Sequence, residues 1–291
     1  MQIGALEAGG TKMVCAVVDE NGVVSDRISL PTGTPAETMP QLIDYFARHQ
    51  VEALGVGCFG PLDLDRSSPT WGYITATPKT PWKFYDIAGQ LQQALKVPVA
   101  LDTDVNCAVL GEARRGSCRG LTDCVYITVG TGIGMGVLSG GRLVHGIQHP
   151  ELGHIPVVPA AGDPYQGCCP YHGRCLEGMA SGSAMRGRWG VPAQQLEDCP
   201  EVWQLEAEYL AQGVVTCVLA YAPQRIVLGG GVAHHKGLLE QVRAAVTRQL
   251  AGYVAAPALA DMQSYLVAPA LGDDQALLGC MELVRDPAVQ G

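Results

Sequence analysis

Thiol and imidazole side chains with metal-ligand spacing lie in segment 150–178, near the middle of the chain. Cys169, His172 and Cys175 follow one another at intervals of three residues in a turn rich in glycine and proline, and His154 lies upstream. Two thiolates and two imidazoles form the closed tetrahedral ligand set of a structural zinc ion. These four residues therefore predict a zinc site that orders the segment.

A second interpretation is that these are ordinary thiols and surface histidines, because 11 cysteines are scattered along the chain and short motifs have limited specificity. Large apolar side chains are nearly absent between Val158 and Tyr171, so something other than a hydrophobic core must order this loop. A metal ion would do so. Cys168 adjoins Cys169 and either sulfur could be the ligand, but the spacing favours Cys169.

Two carboxylates accompany the predicted zinc ligands. Glu151 and Glu177 each lie within three residues of one of them, and with Asn106 they offer hydrogen-bonding groups for sugar-like hydroxyls. His154 could use one ring nitrogen for the metal and the other for substrate or a carboxylate. Read on their own, the two glutamates would be unremarkable surface charges. The remaining histidines considered have no such context and are interpreted as surface or loop residues: His145, His149, His234 and His235.

A carboxylate at Asp104 is the candidate general base. The segment Asp102-Thr103-Asp104-Val105-Asn106 follows an apolar strand and precedes a helix, where open α/β sheets present ligand-binding groups. Phosphoryl transfer needs little covalent help, but a carboxylate can orient the attacking hydroxyl and accept its proton. The alternative is helix N-capping, which Asp102, Thr103 or Asp104 could perform.

Three glycine turns indicate polyphosphate binding, because without a Cβ the backbone N–H groups can approach an anion. They are Ala8-Gly9-Gly10-Thr11-Lys12, Gly130-Thr131-Gly132 and Gly229-Gly230-Gly231. Each turn alone is equally typical of an ordinary hairpin. No Walker spacing occurs, and Gly130-x-Gly132-x-Gly134 lacks the spacing and setting of a dinucleotide fingerprint, which disfavours a Rossmann oxidoreductase.

Apolar runs alternate with turns along the chain. This pattern predicts two α/β halves, each of which starts with a glycine hairpin. The first half has expected strands 3–7, 13–18, 53–58 and 97–101, and helices 40–49, 87–95 and 107–115. The second has expected strands 124–129, 137–138, 225–228 and 264–268, and helices 202–222, 238–250 and 273–285. Asp273 is the expected N-cap of the last helix. Residues 115–122 suit a boundary between the halves.

Bulk properties exclude several classes of protein. The chain has 291 residues, of which 47% are hydrophobic and 16% charged, which suits two globular domains, and no apolar run is long enough to cross a bilayer. A net charge of −9 argues against a nucleic-acid partner. The cysteines fall mostly within apolar strands and helices, and no signal peptide precedes the first strand. We therefore expect reduced thiols and a cytoplasmic location without membrane association.

Together these motifs resemble the ROK family of sugar kinases, within the actin-like ATPase superfamily, over nearly the whole chain and in the expected order. The matching elements are the Gly9-Gly10-Thr11-Lys12 hairpin, Asp104-x-Asn106, the Gly130-Thr131-Gly132 hairpin, Glu151-x-Gly153-His154, Cys175-Leu176-Glu177-Gly178 and Gly229-Gly230-Gly231.

This resemblance implies two ribonuclease-H-like domains with an interdomain cleft and a zinc-binding loop. The domains would span residues 1–116 and 117–291, with zinc-binding segment 150–178, and the last helix could pack back on the first domain. ATP and Mg²⁺ would bind in the cleft. Asp104 matches the catalytic aspartate, and the sugar hydroxyls would be held by Asn106, Glu151, His154 and Glu177. The resemblance also hints at a homodimer.

Two features depart from the common pattern of the family. Glu7 stands where most members have Asp, so a metal or water-organising role there is open. The zinc thiols are respaced and His172 joins them, so the ligand set is inferred. The Cys-Pro-Tyr-His-Gly sequence, Glu7-Ala8-Gly9-Gly10 and Thr77-Pro78-Lys79-Thr80-Pro81-Trp82-Lys83 look like the fructokinase branch.

The leading hypothesis is therefore ATP-dependent phosphorylation of fructose at its 6-hydroxyl. Kinases for glucose, mannose or an N-acetylated hexose are alternatives, because sugar choice depends on a few pocket contacts. A non-catalytic sugar sensor is a further alternative. Against the sensor stand Asp104, the three glycine turns and the lack of a segment at the N-terminus resembling the DNA-binding helix-turn-helix of some relatives.

Overall fold

The computed structural model describes residues 1–290, which form two compact units. Unit 1 contains residues 1–120, 141–150 and the described residues from 271 onward, and unit 2 contains residues 121–140 and 151–270. The sequence suggested a simpler division at residue 116. Unit 1 gains its last segment because the C-terminal helix packs against the first sheet.

The strands are β1 Ile3–Ala8, β2 Lys12–Val18, β3 Val24–Pro31, β4 Ala53–Cys58, β5 Tyr73–Ile74, β6 Tyr85–Asp86, β7 Val99–Thr103, β8 Cys124–Val129, β9 Ile133–Ser139, β10 Arg142–Leu143, β11 Arg225–Gly229 and β12 Leu266–Val267. The α-helices are α1 Pro35–Arg48, α2 Ile87–Leu95, α3 Asp104–Arg115, α4 Leu176–Ala180, α5 Gly182–Trp189, α6 Pro200–Tyr221, α7 Leu238–Leu250, α8 Pro257–Ala260, α9 Met262–Tyr265 and α10 Gln275–Arg285. Turns of 3₁₀ helix occur at Thr80–Trp82, Leu152–His154, Ala193–Gln195 and Pro287–Gln290.

Unit 1 is built on a mixed sheet of order β3-β2-β1-β4-β7. Strand β1 pairs antiparallel with β2 and parallel with β4, and β4 pairs parallel with β7. Strand β4 is buried along its whole length, as expected for a parallel strand covered on both faces. Strand β3 was not predicted, because it lies at the sheet edge and much of it is exposed, so its sequence is largely polar.

Helices α3 and α10 of unit 1 approach each other backbone to backbone. A Cβ atom on Gly279 would overlap the carbonyl oxygen of Cys107, and a Cβ on Gly111 would overlap the carbonyl oxygen of Gln275. These glycines therefore let α10 lie against α3 and β4. The N-cap of α10 is Asp274 instead of the expected Asp273, because the helix begins at Gln275.

Unit 2 repeats the plan of unit 1, with strands in the order β9-β8-β11-β12. Strand β8 pairs antiparallel with β9 and parallel with β11, and β11 pairs parallel with β12. The prediction of two α/β halves, each opened by a glycine hairpin, is confirmed. Helices α4 and α5 were not predicted, since they are short and α4 depends on a cap from Cys175, whose side chain accepts from the Gly178 amide.

Within residues 1–290, no helix combines the length and apolar character needed to cross a membrane. That same part of the chain contains no disulfide bond. Several thiols lie in the cores of the two units, and burial raises the pKa of Cys15 and of Cys217 to about 12. Such thiols stay protonated and act as small apolar side chains.

Replacing Gly279 with Ala should destabilise the protein. Alanine favours a helix over glycine by about 1 kcal/mol, but the added methyl group would collide with the carbonyl of Cys107, and such overpacking costs about 1–3 kcal/mol. Urea denaturation of the variant should therefore give a lower midpoint than the wild type.

Gly146→Ala is the matched control, because a Cβ at Gly146 would meet no atom within 4 Å. Its midpoint should stay at the wild-type value. If Gly279→Ala were as stable as Gly146→Ala, the close contact between α3 and α10 would be contradicted.

Candidate active site

Asp104 is the first residue of α3, directly after strand β7. The capping role belongs to Thr103, whose side-chain oxygen accepts a hydrogen bond from the Asn106 amide at 3.1 Å. The Asp104 carboxylate accepts a hydrogen bond from the Val105 amide at 2.9 Å. Since Thr103 performs the capping, the Asp104 carboxylate is available for chemistry at the helix N-terminus, where negative charge is favoured.

The acidity of Asp104 suits a general base. Burial raises the pKa of this carboxyl from its ordinary 3.8 to about 6, and hydrogen bonds from the amides of Val105 and of Asp104 itself limit the rise. A base whose pKa lies just below the working pH is mostly ionised and can still accept a proton.

Glu7 is a second acid in unit 1 with a perturbed pKa. Its pKa is raised to about 7, first by burial and then by the charge of Asp104, while Lys12 and Arg27 act in the opposite direction. The two acids lie close together, because Glu7 pairs with Gly57 in the sheet and a Cβ atom on Gly57 would be 3.2 Å from Cα of Asp104. Glu7 directly precedes the first glycine turn. This turn and the candidate base Asp104 therefore lie in the same region of unit 1.

Asp102 is a fully buried carboxylate that fixes its neighbours. One of its oxygens accepts hydrogen bonds from the Asn106 side-chain amide at 2.7 Å and from the Thr103 backbone amide at 2.8 Å. Its other oxygen lies 3.0 Å from Nε2 of His145. The side-chain amide of Asn106 is thereby held in one orientation, with its nitrogen towards Asp102.

His145 and His149 do lie in a loop, but they are not isolated surface residues. His149 is buried, its Nε2 accepts a hydrogen bond from the Leu62 amide at 3.0 Å, and burial lowers its pKa. Sequence reasoning missed both residues because their partners are distant in the chain. His145 is 43 residues from Asp102, and no short sequence motif predicts that the two side chains meet.

The other two histidines differ from each other in their surroundings. His234 is exposed. His235 stacks on the indole ring of Trp203, with ring centroids 3.6 Å apart.

The first glycine turn, Ala8 to Lys12, is a tight hairpin between β1 and β2. The Gly9 amide donates to the Lys12 carbonyl at 3.0 Å. Thr32, beyond the end of β3, anchors the turn from the side: its hydroxyl donates to the Gly9 carbonyl at 2.7 Å, and its amide donates to the Thr11 carbonyl at 3.0 Å. The turn is therefore held in shape by the protein alone.

Unit 2 brings its two glycine turns together. The Gly130 amide donates to the Gly132 carbonyl at 2.9 Å. Gly230 adopts a φ of +91°, and a Cβ there would lie 2.6 Å from backbone atoms of Val129, just before the first turn. Only glycine fits so close to another backbone. The start of α5 joins them, since the Gly182 amide donates to the Gly130 carbonyl at 2.8 Å.

Glu177 connects the second glycine turn to the cysteine and histidine segment. One of its carboxylate oxygens accepts from the Ile133 amide at 3.0 Å, and its side chain fills the space that a Cβ on Gly132 would need. Its other oxygen lies 3.9 Å from Nε2 of His154. Glu151 is the residue before the 3₁₀ turn Leu152–His154, and its carbonyl accepts from the His154 amide at 3.0 Å.

The four residues predicted to bind zinc converge in unit 2. One ligand atom from each of His154, Cys169, His172 and Cys175 lies within 4.8 Å of the others. Nδ1 of His154 is 3.7 Å from the sulfur of Cys169 and 3.5 Å from that of Cys175, and Nδ1 of His172 is 3.7 Å from Cys169. Cys168 is exposed and outside this group.

These sulfur-to-nitrogen distances fit a tetrahedral ion. Zn–S bonds of about 2.3 Å and Zn–N bonds of about 2.0–2.1 Å at a tetrahedral angle place sulfur and nitrogen about 3.5 Å apart. Because His154 turns Nδ1 towards the thiols, its Nε2 points away and faces Glu177. This is the arrangement in which one imidazole serves both a metal and a second group.

The structure thus divides the predicted site residues between the units. Unit 1 holds Asp104, Asn106 and the first glycine turn, and unit 2 holds Glu151, His154, Glu177 and the other two turns.

Comparison with known proteins identifies the family of the chain. The family model described as "ROK family" matches residues 3–287. The fructokinase of Pediococcus pentosaceus is 43% identical over 261 residues, which cover 90% of this chain and 91% of that enzyme. Among solved structures, the ROK hexokinase from Thermus thermophilus is 30% identical with a TM-score of 0.77, over 98% of this chain and 100% of that one.

A second solved structure contains ligands. The ROK family glucokinase from Streptomyces griseus, in complex with glucose and AMPPNP, has a TM-score of 0.79 and 26% identity, over 98% of this chain and 100% of that one. The family match over nearly the whole chain, the relatives of similar length and the two glycine-hairpin units agree: the chain belongs to the ROK family, with the sugar kinase fold of the actin-like ATPase superfamily.

Proposed function

We propose that this protein transfers the γ-phosphoryl group of ATP to the 6-hydroxyl of D-fructose. The observation that carries the proposal is the carboxylate of Asp104, at the start of α3 and with a pKa raised by burial to about 6. Relatives named as fructokinases, 38–46% identical over most of the chain, support fructose as the sugar. Relatives named as glucokinases match at only 26–27% identity.

In the proposed reaction, Asp104 orients the sugar hydroxyl and accepts its proton. The hydroxyl oxygen forms a bond to the γ-phosphorus, the bond from that phosphorus to the bridging oxygen breaks, and ADP leaves. In the transition state, negative charge is spread over the oxygens of the transferred phosphoryl group. Positioning of the reactants and electrostatic stabilisation of this charge therefore account for most of the rate enhancement. Backbone amides of the three glycine turns are the groups we assign to the nucleotide phosphates.

Mg²⁺ would enter with the nucleotide and neutralise charge on its phosphate oxygens. The Glu7 carboxylate, next to the first glycine turn, is an oxygen donor of the kind that this ion accepts. The residues present are therefore compatible with the ion.

For the sugar we assign Asn106 in unit 1 and Glu151, His154 and Glu177 in unit 2. Asn106 is nearly fully buried and oriented by Asp102, so its amide oxygen is fixed before substrate arrives. Glu177 and His154 are braced by the second glycine turn and by the thiol cluster. Groups held in place in this way do not have to be ordered when the sugar binds.

We also propose that His154, Cys169, His172 and Cys175 bind one structural zinc ion. Cys169 and Cys175 are buried with sulfur-to-nitrogen distances that suit tetrahedral coordination. The ion would hold His154 towards Glu177. The preceding loop also has a protein anchor, because Asp163 pairs with Arg188 at 3.2 Å and accepts from the Tyr209 hydroxyl at 2.6 Å, so the zinc would order the ligand turn more than the whole loop.

The function is tested by following ADP release from MgATP with fructose, glucose, mannose and N-acetylated hexoses, in the wild type and in Asp104→Asn. We expect fructose to be preferred, and the variant to lose about 10²–10⁴-fold in kcat because the base is missing. Calorimetric affinity for fructose should stay close to wild type. Asp44→Asn, an exposed acid on α1, is the control and should keep full activity.

Preference for another hexose would contradict the assignment of fructose but would leave the proposed phosphoryl transfer in place. Full turnover by Asp104→Asn would contradict the assigned base. Sugar binding without sugar-dependent turnover in the wild type would favour a sensor.

The pH dependence should report the ionisation of Asp104. Its carboxylate must be ionised to accept a proton, so kcat/KM for fructose should fall about tenfold per pH unit below the folded-state pKa near 6 and level off above it. Glu7→Gln should keep this limb and remove any inflection near pH 7. A wild-type profile that is flat through pH 6 would count against the assignment.

Zinc content distinguishes the two adjacent thiols. Purified wild type and Cys168→Ser should each contain about one zinc per chain by elemental analysis, whereas Cys169→Ser should lose the metal and melt at a lower temperature, because metal binding stabilises only the folded state. A metal-free wild-type protein with full stability and activity would contradict the proposal of a structural zinc ion.

A further inference from the structure

The side chain of Lys79 lies directly against the first glycine turn. A Cβ atom built on Gly10 would be 2.8 Å from Cε of Lys79 and 3.7 Å from its Nζ. Any side chain at residue 10 would therefore have to displace this lysine. The glycine at this position keeps room for an ammonium group over the turn whose amides we assign to phosphate.

Lys79 is partly buried, and it forms no ion pair within the part of the chain that the structure describes. Two arginines of unit 1, by contrast, are ion-paired: Arg27 with Asp274 at 2.6 Å, and Arg114 with Asp286 at 3.0 Å. Lys12, in the turn itself, acts on Glu7 and lowers its pKa. The side chain of Lys79 is therefore placed to pair with an anion that comes from outside the chain.

The backbone around Lys79 is held by the same elements that hold the turn. Its amide donates to the Thr77 hydroxyl at 3.3 Å, and its carbonyl accepts from the Trp82 amide at 2.8 Å. Trp82 is buried, and its indole N–H donates to the Gly33 carbonyl at 2.8 Å. Gly33 follows Thr32, the residue that anchors the glycine turn. Lys79 and the turn are thus fixed to one common support.

The turn that Lys79 contacts lies in the same unit as the candidate base. Glu7, which directly precedes this turn, pairs with Gly57 in the sheet, and a Cβ atom on Gly57 would lie 3.2 Å from Cα of Asp104. A phosphate held here is therefore near the group that receives the proton, as the transferred phosphate must be.

We propose that Lys79 contacts the terminal phosphate of ATP and stabilises the charge on the transferred phosphoryl group. This assignment rests on the proposed phosphate-binding role of the first glycine turn. As the sugar oxygen bonds to the γ-phosphorus and the bridging oxygen leaves with ADP, the three remaining oxygens carry negative charge that the ammonium faces. The proton of the sugar hydroxyl goes to Asp104.

The test compares Lys79→Met, Lys79→Arg and Lys83→Met. Methionine keeps the length of the side chain and removes its charge. Lys83 is the matched control, an exposed lysine of the same loop whose ammonium lies 5.5 Å from the ring centroid of Phe84. For each protein, the affinities for AMPPNP, MgADP and fructose are measured by calorimetry, and kcat is measured with the preferred sugar.

For Lys79→Met we expect affinity for AMPPNP to fall about 10-fold or more, as for a lost hydrogen bond to a charged group, with unchanged affinity for MgADP and fructose. The kcat should fall about 10²–10³-fold, as for other losses of charge-stabilising donors. Lys79→Arg should recover part of both losses because the charge is restored with a different geometry. Lys83→Met should match wild type.

Equal loss of AMPPNP and MgADP affinity, loss of fructose affinity alone, or wild-type behaviour of Lys79→Met would each overturn the assignment to the terminal phosphate. The nucleotide titrations need no sugar turnover. A wild type that binds AMPPNP through Lys79 but phosphorylates no hexose would therefore contradict the kinase proposal while leaving the role of Lys79 in place.

Discussion

The cap at the start of helix α3 is the interaction on which the candidate site of unit 1 depends. Thr103 ends strand β7 and accepts the amide of Asn106, so strand passes into helix without an intervening loop. A capping side chain of this kind contributes about 1 kcal/mol, yet it determines where three polar residues go. Asp102 is buried in the protein, Asp104 occupies the first helical position, and Asn106 lies two residues further along the helix.

Hydrogen bonding then distinguishes the two acids of this segment. Asp102 is surrounded by donors, from Asn106, Thr103 and His145, and such a carboxylate serves to orient its neighbours. Asp104 has fewer donors, so burial dominates and its pKa rises towards neutrality. Two acids in one short segment thereby differ through their hydrogen bonds and not through their chemical type: Asp102 orients its neighbours, and Asp104 is the acid to which we assign the proton.

Unit 2 has the same sheet plan as unit 1, but it also contains a long segment that a hydrophobic core does not order. Its segment from Glu151 to α4 contains few apolar side chains. It is held by polar links: the Asp163 contacts, the Glu177 hydrogen bond to the second glycine turn, and the thiol and imidazole cluster. A metal ion suits such a segment, because one ion can replace the many weak contacts of a hydrophobic core. Glycines at 153, 167 and 178 allow the backbone to fold this closely.

The sequence alone determined the features that depend on residues close together in the chain. Apolar runs between glycine turns marked most central strands and long helices, and the spacing of thiols and histidines selected Cys169 over Cys168, as the cluster geometry also does. The edge strand β3 and the short helices α4 and α5 were missed, since exposure and dependence on single caps leave a weak periodic signal.

Only the tertiary structure decided which distant residues meet. The bonding of His145 to Asp102, the burial of His149 beside Leu62, and the position of Lys79 over Gly10 join segments dozens of residues apart. Local patterns follow from the periodicity of one helix or strand, whereas these contacts and the pKa of Asp104 depend on how the whole of unit 1 packs.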